Sequence, residues 1–313
     1  MFWDNWFVMA MIVPFLTALV NVLDIHFVSN TYTDEWDGMV ISGFFQSLPW
    51  LLVPFGFISF HFPGLWISSL ALSSGGCLAI AFYFYFKALF HTTDMVSVQV
   101  LSNLSILLVP FLAWLWIGEE LVLVHYAGIF LAFLGALILS FSKQEVSGGF
   151  KKFSMIMLGS ITALSISMVL QEEAYRSVPG DFWTVFLLFV LGSTSTSFLL
   201  LIFDNKKFFD RMKHISILSR KNFLVFLLAE SLALFGVLAL QRSIDLSPEV
   251  SLVAAITEGL SPVFVLLISG ALVVLFWLSN KKKALNIYQQ QFSSLWIKAL
   301  ASLVVIFGIY MIS

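Results

Sequence analysis

Apolar residues along this chain come in long unbroken runs, and the polar residues that interrupt them fall at helical spacing. A window of about 20 apolar residues is long enough to cross a bilayer as a helix. Such windows predict ten spans, at 5–28, 38–60, 65–88, 95–117, 121–142, 153–175, 182–203, 222–242, 249–277 and 294–312. The links between them are short, as expected where free backbone must stay out of lipid. The longest are 204–221 and 279–293. A polar segment, Gln144 to Lys152, divides the spans five and five, giving halves 1–146 and 147–313. An odd number per half turns the second half over relative to the first. The expected fold is an all-α polytopic membrane protein of ten transmembrane helices in two inverted five-helix repeats.

The halves also echo each other in sequence. The stretch from Tyr83 to Glu120 has a counterpart from Val237 to Val274. Lys87-Ala88-Leu89 falls on Arg242-Ser243-Ile244, Thr92-Thr93-Asp94 on Ser247-Pro248-Glu249, and Leu104-Ser105 on Leu260-Ser261. Each copy reads as a helix ending in a cation, a turn, and a capped restart, with Ser247 as N-cap and Pro248 at the first helical position. Capping is the ordinary reading of Asp94 and Glu249.

Composition sharpens the membrane reading. The chain has 313 residues, 60% of them hydrophobic and 11% charged, against about 25% charged in soluble domains. Its mean hydropathy is +0.97. A net charge of -2 gives no case for nucleic acid as a partner. Cys77 is the single cysteine, so no internal disulfide can form. The N-terminal run lacks a basic leader and reads as the first span rather than a cleaved signal. Lys and Arg concentrate in 143–152, 204–221 and 279–293. The positive-inside bias places these loops in the cytoplasm and both termini outside.

Ionisable groups within spans are costly and tend to face a bundle interior or a wet cavity. Helix 1 carries Thr17, Asn21 and Asp24 on one face. Helix 2 carries Gln46 and Trp50, helix 4 Gln99 and Asn103, helix 6 Ser165 and Glu172. Helix 8 carries Glu230, then Arg242 near its end, and helix 9 carries Glu258 and Ser261. Glu230 and Glu258 are the sharpest signals, because a Glu side chain is too short to reach the interface from mid-span. They read as lining a path for a cation or a proton. The competing reading is a neutral Glu hydrogen-bonded between helices. Asn21, Gln46, Gln99 and Asn103 also fit interhelical hydrogen bonds. Trp50 and Tyr83 offer rings to a ligand or anchors to the interface, and Arg242 faces an anionic group or snorkels. Ser73-Ser74-Gly75-Gly76 in helix 3 would let another helix approach closely. Helices 5 and 10 are almost wholly apolar and read as peripheral.

These landmarks carry a family resemblance. Lys87-Ala88-Leu89, Leu104-Ser105, Ile117-Gly118-Glu119, His125-Tyr126-Ala127-Gly128 and Leu260-Ser261-Pro262-Val263-Phe264 resemble motifs of the EamA-like branch of the drug/metabolite transporter superfamily. The resemblance spans nearly the whole chain. It implies two inverted five-helix halves, a central cavity between helices 1–4 and 6–9, and alternating access. It also implies cytoplasmic termini, opposite to the charge count. The chain departs from the pattern at Ile106, where the family has Pro, and lacks a second Gly-Glu after helix 9.

The function expected is secondary active transport of a small polar metabolite, with the acids pointing to an amine-bearing or cationic substrate such as an amino acid and to proton coupling. No cofactor is expected. The alternative is a transporter or flippase of a lipid or lipid-linked head group. An intramembrane enzyme is a third reading, resting on Glu172-Glu173-Ala174-Tyr175-Arg176 and the spacing of His26 and Asn30. It lacks the convergent ligands or bases that a metal or general-base site requires.

Overall fold

A computed structural model describes residues 3–91, 98, 101–140, 150–204, 208–279 and 295–312. Every regular element among them is helical. The α-helices are α1 (Trp6–Asn30), α2 (Glu35–Gln46), α3 (Leu65–His91), α4 (Ser105–Ile117), α5 (Leu123–Ser140) and α6 (Phe150–Ser177). They continue as α7 (Phe182–Leu200), α8 (Phe208–Lys221), α9 (Phe223–Leu246), α10 (Val250–Ser279) and α11 (Leu295–Ile312). Among the described residues, six helical stretches are long and apolar enough to cross a membrane: Trp6–Asn30, Leu65–His91, Lys152–Ser177, Phe182–Phe203, Phe223–Leu246 and Val250–Ile268. Ser105–Ile117, Leu123–Leu139 and Trp296–Ile312 are shorter apolar helices. This is the build of a multi-pass membrane protein.

The window 38–60 does not form the span its hydropathy predicts. α2 has 12 residues, on the order of 18 Å at 1.5 Å per residue, which is too short to cross. Pro49 opens a 3-10 turn over Leu48–Leu52, and no α-helix forms between there and Leu65. Pro54 and Pro63 withhold backbone donors, and Gly56 and Gly64 take positive φ of 74° and 97°. Apolar composition imitates a span here, while prolines and glycines deny it a helix. Two smaller expectations also change. The link 204–221 holds a helix, α8. Ser247 closes α9 by donating its hydroxyl to Ile244 O at 3.2 Å, so it does not cap α10, which starts at Val250. Asp94 lies outside the described residues.

The halves are interleaved. α1 packs on α9 and α10, while α6 packs on α3 and α4. Each half thus lends its first helix to the other. Small residues set the closest crossings. A Cβ on Gly75 would stand 1.9 Å from Phe189 O, and one on Gly192 would stand 2.1 Å from Leu72 O, so α3 and α7 touch backbone to backbone. The Ser74–Gly76 stretch of α3 does admit a close neighbour. Beside it, Ser74 donates to Ser167 O and Ser167 to Ser74 O, each at 2.8 Å, clamping α3 to α6. Such hydroxyl bonds keep polar atoms satisfied inside the bundle. α5 and α11 also pack tightly on each other, with Gly128 and Gly308 at their crossing. Their outer faces, including Phe130 and Phe307, are exposed.

Polar contacts define two ends of the bundle. At one end Arg211 of α8, fully buried, is caged by three aspartates. It donates to Asp204 Oδ2 at 2.6 Å, to both oxygens of Asp34 at 2.8 and 2.9 Å, and to Asp37 Oδ1 at 2.9 Å. Burial pulls its guanidinium down, but the aspartates outweigh it and hold the group above its ordinary value. Asp34 also caps α2 by accepting from Trp36 N at 3.2 Å. At the other end Arg242 meets Asp4 at 3.3 Å, pairs with Asp245, and stacks on Trp3 and Phe182. Arg176 reaches Pro248 O there at 3.1 Å. The start of α6 and the end of α10, which adjoin the Lys/Arg-rich segments 143–152 and 279–293, consequently lie at the α8 end.

Gly75→Ala forces α3 and α7 apart and is expected to cost about 1–3 kcal/mol, read as a lower melting temperature of the purified protein in detergent. Gly159→Ala, whose Cβ would meet only a Phe84 ring at 3.3 Å, is expected to cost less. Equal melting of the two variants would contradict the tight crossing.

Candidate functional site

The interleaving leaves a cavity of about 200 Å³ at mid-depth in the bundle. α1, α3, α6, α9 and α10 all contribute to its wall, together with Val98 and Ser102. Residues of α9 from Leu232 to Leu240 and Phe82 of α3 make the apolar side. The polar side comes from Thr17, Asn21 and Asp24 of α1, Tyr85 of α3, Ser160 of α6, and Thr257, Glu258 and Ser261 of α10. The α1 stripe works as its spacing of four and three requires, since such residues lie on one helix face.

Two carboxylates occupy this wall in different ways. Asp24 is 8% exposed and belongs to a small network. Tyr85 Oη lies 3.0 Å from Asn21 Oδ1 and 3.3 Å from Asp24 Oδ2. One phenolic proton serves two acceptors, so the network is one proton short of full satisfaction. Glu258 faces the cavity half-buried and forms no hydrogen bond or ion pair among the described residues. The wall holds no Lys, Arg or His among the described residues. The cavity therefore offers negative charge and hydroxyls with no built-in counter-ion. A cation or an ammonium group fits that chemistry, and an anion does not.

Several other candidate residues lie elsewhere. Glu230 is buried beside α2, accepting from Ser42 Oγ at 3.0 Å, and does not line the cavity. Glu172 is paired with Arg176 at 2.6 Å at the Arg242 end. Arg242 serves the N-terminal clasp there. Trp50 Nε1 donates to Leu187 O at 2.9 Å, with its ring against Phe60. Tyr83 packs on Trp36 and accepts from Lys87 Nζ at 3.1 Å. Gln46 is 3% exposed, and Asn103 is fully buried in the turn before α4. Gln99 lies outside the described residues. Of the eleven candidates, the cavity gathers Asn21, Asp24 and Glu258. It adds Thr257 and Ser160, which sequence reasoning passed over because single hydroxyls in apolar helices carry little signal. Among the described residues no cluster of His, Cys, Asp and Glu is arranged to hold a metal ion.

Glu119 does more than end α4. Gly118, at φ 67°, closes that helix in the left-handed conformation glycine favours. Glu119 then crosses to the other half and accepts from Ser251 N, in the first turn of α10, at 3.3 Å. This contact joins the halves two turns above Glu258.

No family model matches the chain, and no curated protein matches it. Solved structures do. One crystal structure of a protein shares the fold over 99% of this chain and 95% of its own, at a TM-score of 0.59 and 14% identity. At that identity the likeness is one of fold.

Burial, reinforced by Glu249 and partly offset by the Ser251 N–H, pushes the Glu119 carboxyl up from 4.5 to about 7. The folded state favours the protonated form, so this contribution is full below pH 4.5 and lost as pH rises through about 7. Melting temperature is expected to fall over that window, and Glu119→Gln to flatten the fall. An unchanged pH profile in the variant would remove Glu119 from this linkage.

Proposed function

We propose that this chain is a secondary active transporter of a small polar metabolite bearing an amine or other cationic group. The observation that carries the reading is the cavity at mid-depth, lined by both Asp24 of the first half and Glu258 of the second with no basic side chain among the described residues. Buried acids without counter-ions must hold protons or a cationic guest. Competition between the two for the same carboxylates would couple substrate movement to protons.

The architecture supports an alternating-access scheme. Exchanging the halves carries the α1–α9 contact onto α6–α3, the α1–α10 contact onto α6–α4, and the α5–α11 contact onto itself. This is the pairing expected of two inverted repeats. In this reading the broken segment around α2, and the short α4, α5 and α11, complete ten membrane-embedded elements. Rocking of the halves would open the cavity first at the α8 end and then at the Arg242 end. The Lys/Arg-rich α8 end would face the cytoplasm of a cell or inner membrane. Membership in the drug/metabolite transporter superfamily, EamA-like branch, belongs to the same proposal and rests on the sequence motifs.

Thermal-shift screening of the purified protein against amines, amino acids, nucleosides and sugar phosphates is the first test, because a ligand of the folded state raises its melting point. Amine-bearing compounds are expected to give shifts and sugar phosphates none. For a compound that shifts, Glu258→Gln is expected to weaken binding roughly 10- to 100-fold, the range for a hydrogen bond to a charged group. Asp24→Asn is expected to weaken it less, since Asn21 and Tyr85 remain, and Glu172→Gln to leave it unchanged. Wild-type binding in Glu258→Gln would overturn the assignment.

A further inference from the structure

The Arg211 cage fixes α8 in one rotation, and that rotation has a consequence for its outer face. Arg211 and Ile215 are buried against the bundle. Phe209, Lys213 and Arg220, at spacings of four and seven, therefore share the opposite face. Phe209 is 83% exposed. Ile217 lies beside this row and is exposed as well. Lys213 and Arg220 are exposed and make no ion pair among the described residues. Asp210 is the one exposed acid of the helix. The apolar strip does not stop at α8. Ile202 and Phe203, just after α7 and both more than 70% exposed, carry the apolar surface of a candidate span into the start of α8.

An aromatic ring, a branched aliphatic and two unpaired cations on one exposed helix face are the make-up of a helix lying in a lipid interface. The apolar groups enter the acyl boundary, and the long cationic side chains reach phosphates at the same level. We propose that α8 is an interfacial helix that binds anionic phospholipid headgroups through Lys213 and Arg220, with Phe209 as its wedge. Charge complementarity and the continuity of its apolar strip with the α7 surface select a lipid surface over a soluble protein. The buried cage gives the site its rigidity. Asp34 and Asp37 of α2 and Asp204 hold Arg211 inward, which leaves the two exposed cations to the lipid. Anionic lipid held on α8 would thus bear on α2 through the helix itself and the Arg211 cage.

The test places a fluorophore at position 209 through F209C in a C77S background, with the full chain in nanodiscs. Brominated phosphatidylglycerol or brominated phosphatidylcholine is added at equal mole fraction as a quencher. Stronger quenching by the anionic lipid is expected, with its preference lost in K213E/R220E. At about one kcal/mol per surface cation, loss of both cations alone corresponds to a roughly 30-fold drop in local preference, and reversal to Glu exceeds it. High salt should weaken the preference in the unsubstituted chain. Equal quenching by the two lipids, or a preference that survives in K213E/R220E, would overturn the headgroup assignment. Absence of quenching by either lipid would overturn the interfacial placement and turn the face over to a soluble partner.

Discussion

Inside a bilayer no water stands ready to satisfy a polar group, so each one needs a partner within the protein or a guest. That constraint sorts the polar residues of this chain. Ser74 and Ser167 satisfy each other's backbones, Trp50 donates to Leu187 O, and Glu230 accepts from Ser42. Glu258 has no such arrangement among the described residues, and Asp24 shares a single phenolic proton with Asn21. Asp24 and Glu258 are the two carboxylates that line the cavity. Other buried polar atoms without a partner, such as Ser193 Oγ and Ser197 Oγ, lie outside its wall, so the lining and not the lack of a partner alone marks these two acids.

The interleaved halves make that place possible. Backbone contact at Gly75 and Gly192 draws α3 and α7 together on one side of the bundle, and α1 leans away onto α9 and α10. The space between is walled by helices drawn from both the first and the second part of the sequence. Polar clasps tie the bundle at each end. The Arg211 cage ties α8 to α2, and the Arg242 stack ties the N-terminal segment to α9 and Phe182. Glu119 adds a contact between halves at the start of α10.

Much of this was legible in the sequence where helical periodicity alone decides. Thr17, Asn21 and Asp24 had to share a face, and a Glu in the middle of α10 had to meet something other than lipid. The small residues of α3 announced a close crossing. What escaped was set by distant partners. Glu230 looked equivalent to Glu258, but Ser42, 188 positions away, withdraws it from the cavity. The window 38–60 scored as a span because averaging hydropathy hides Pro49, Pro54 and Gly56. The segment 204–221 read as a charged loop because its helix is amphipathic, and its buried Arg211 looked like one more surface cation until the aspartates of α2 surrounded it.

The central claim is that the Glu258 wall is reached by water from each side of the membrane in turn. Cysteine placed at Ser261, in a chain with Cys77 replaced by serine, tests it most directly in sealed vesicles with a membrane-impermeant thiol reagent. The account predicts labelling from either face, with prior labelling at one face abolishing it at the other. Labelling from one face alone, or from neither, would contradict it.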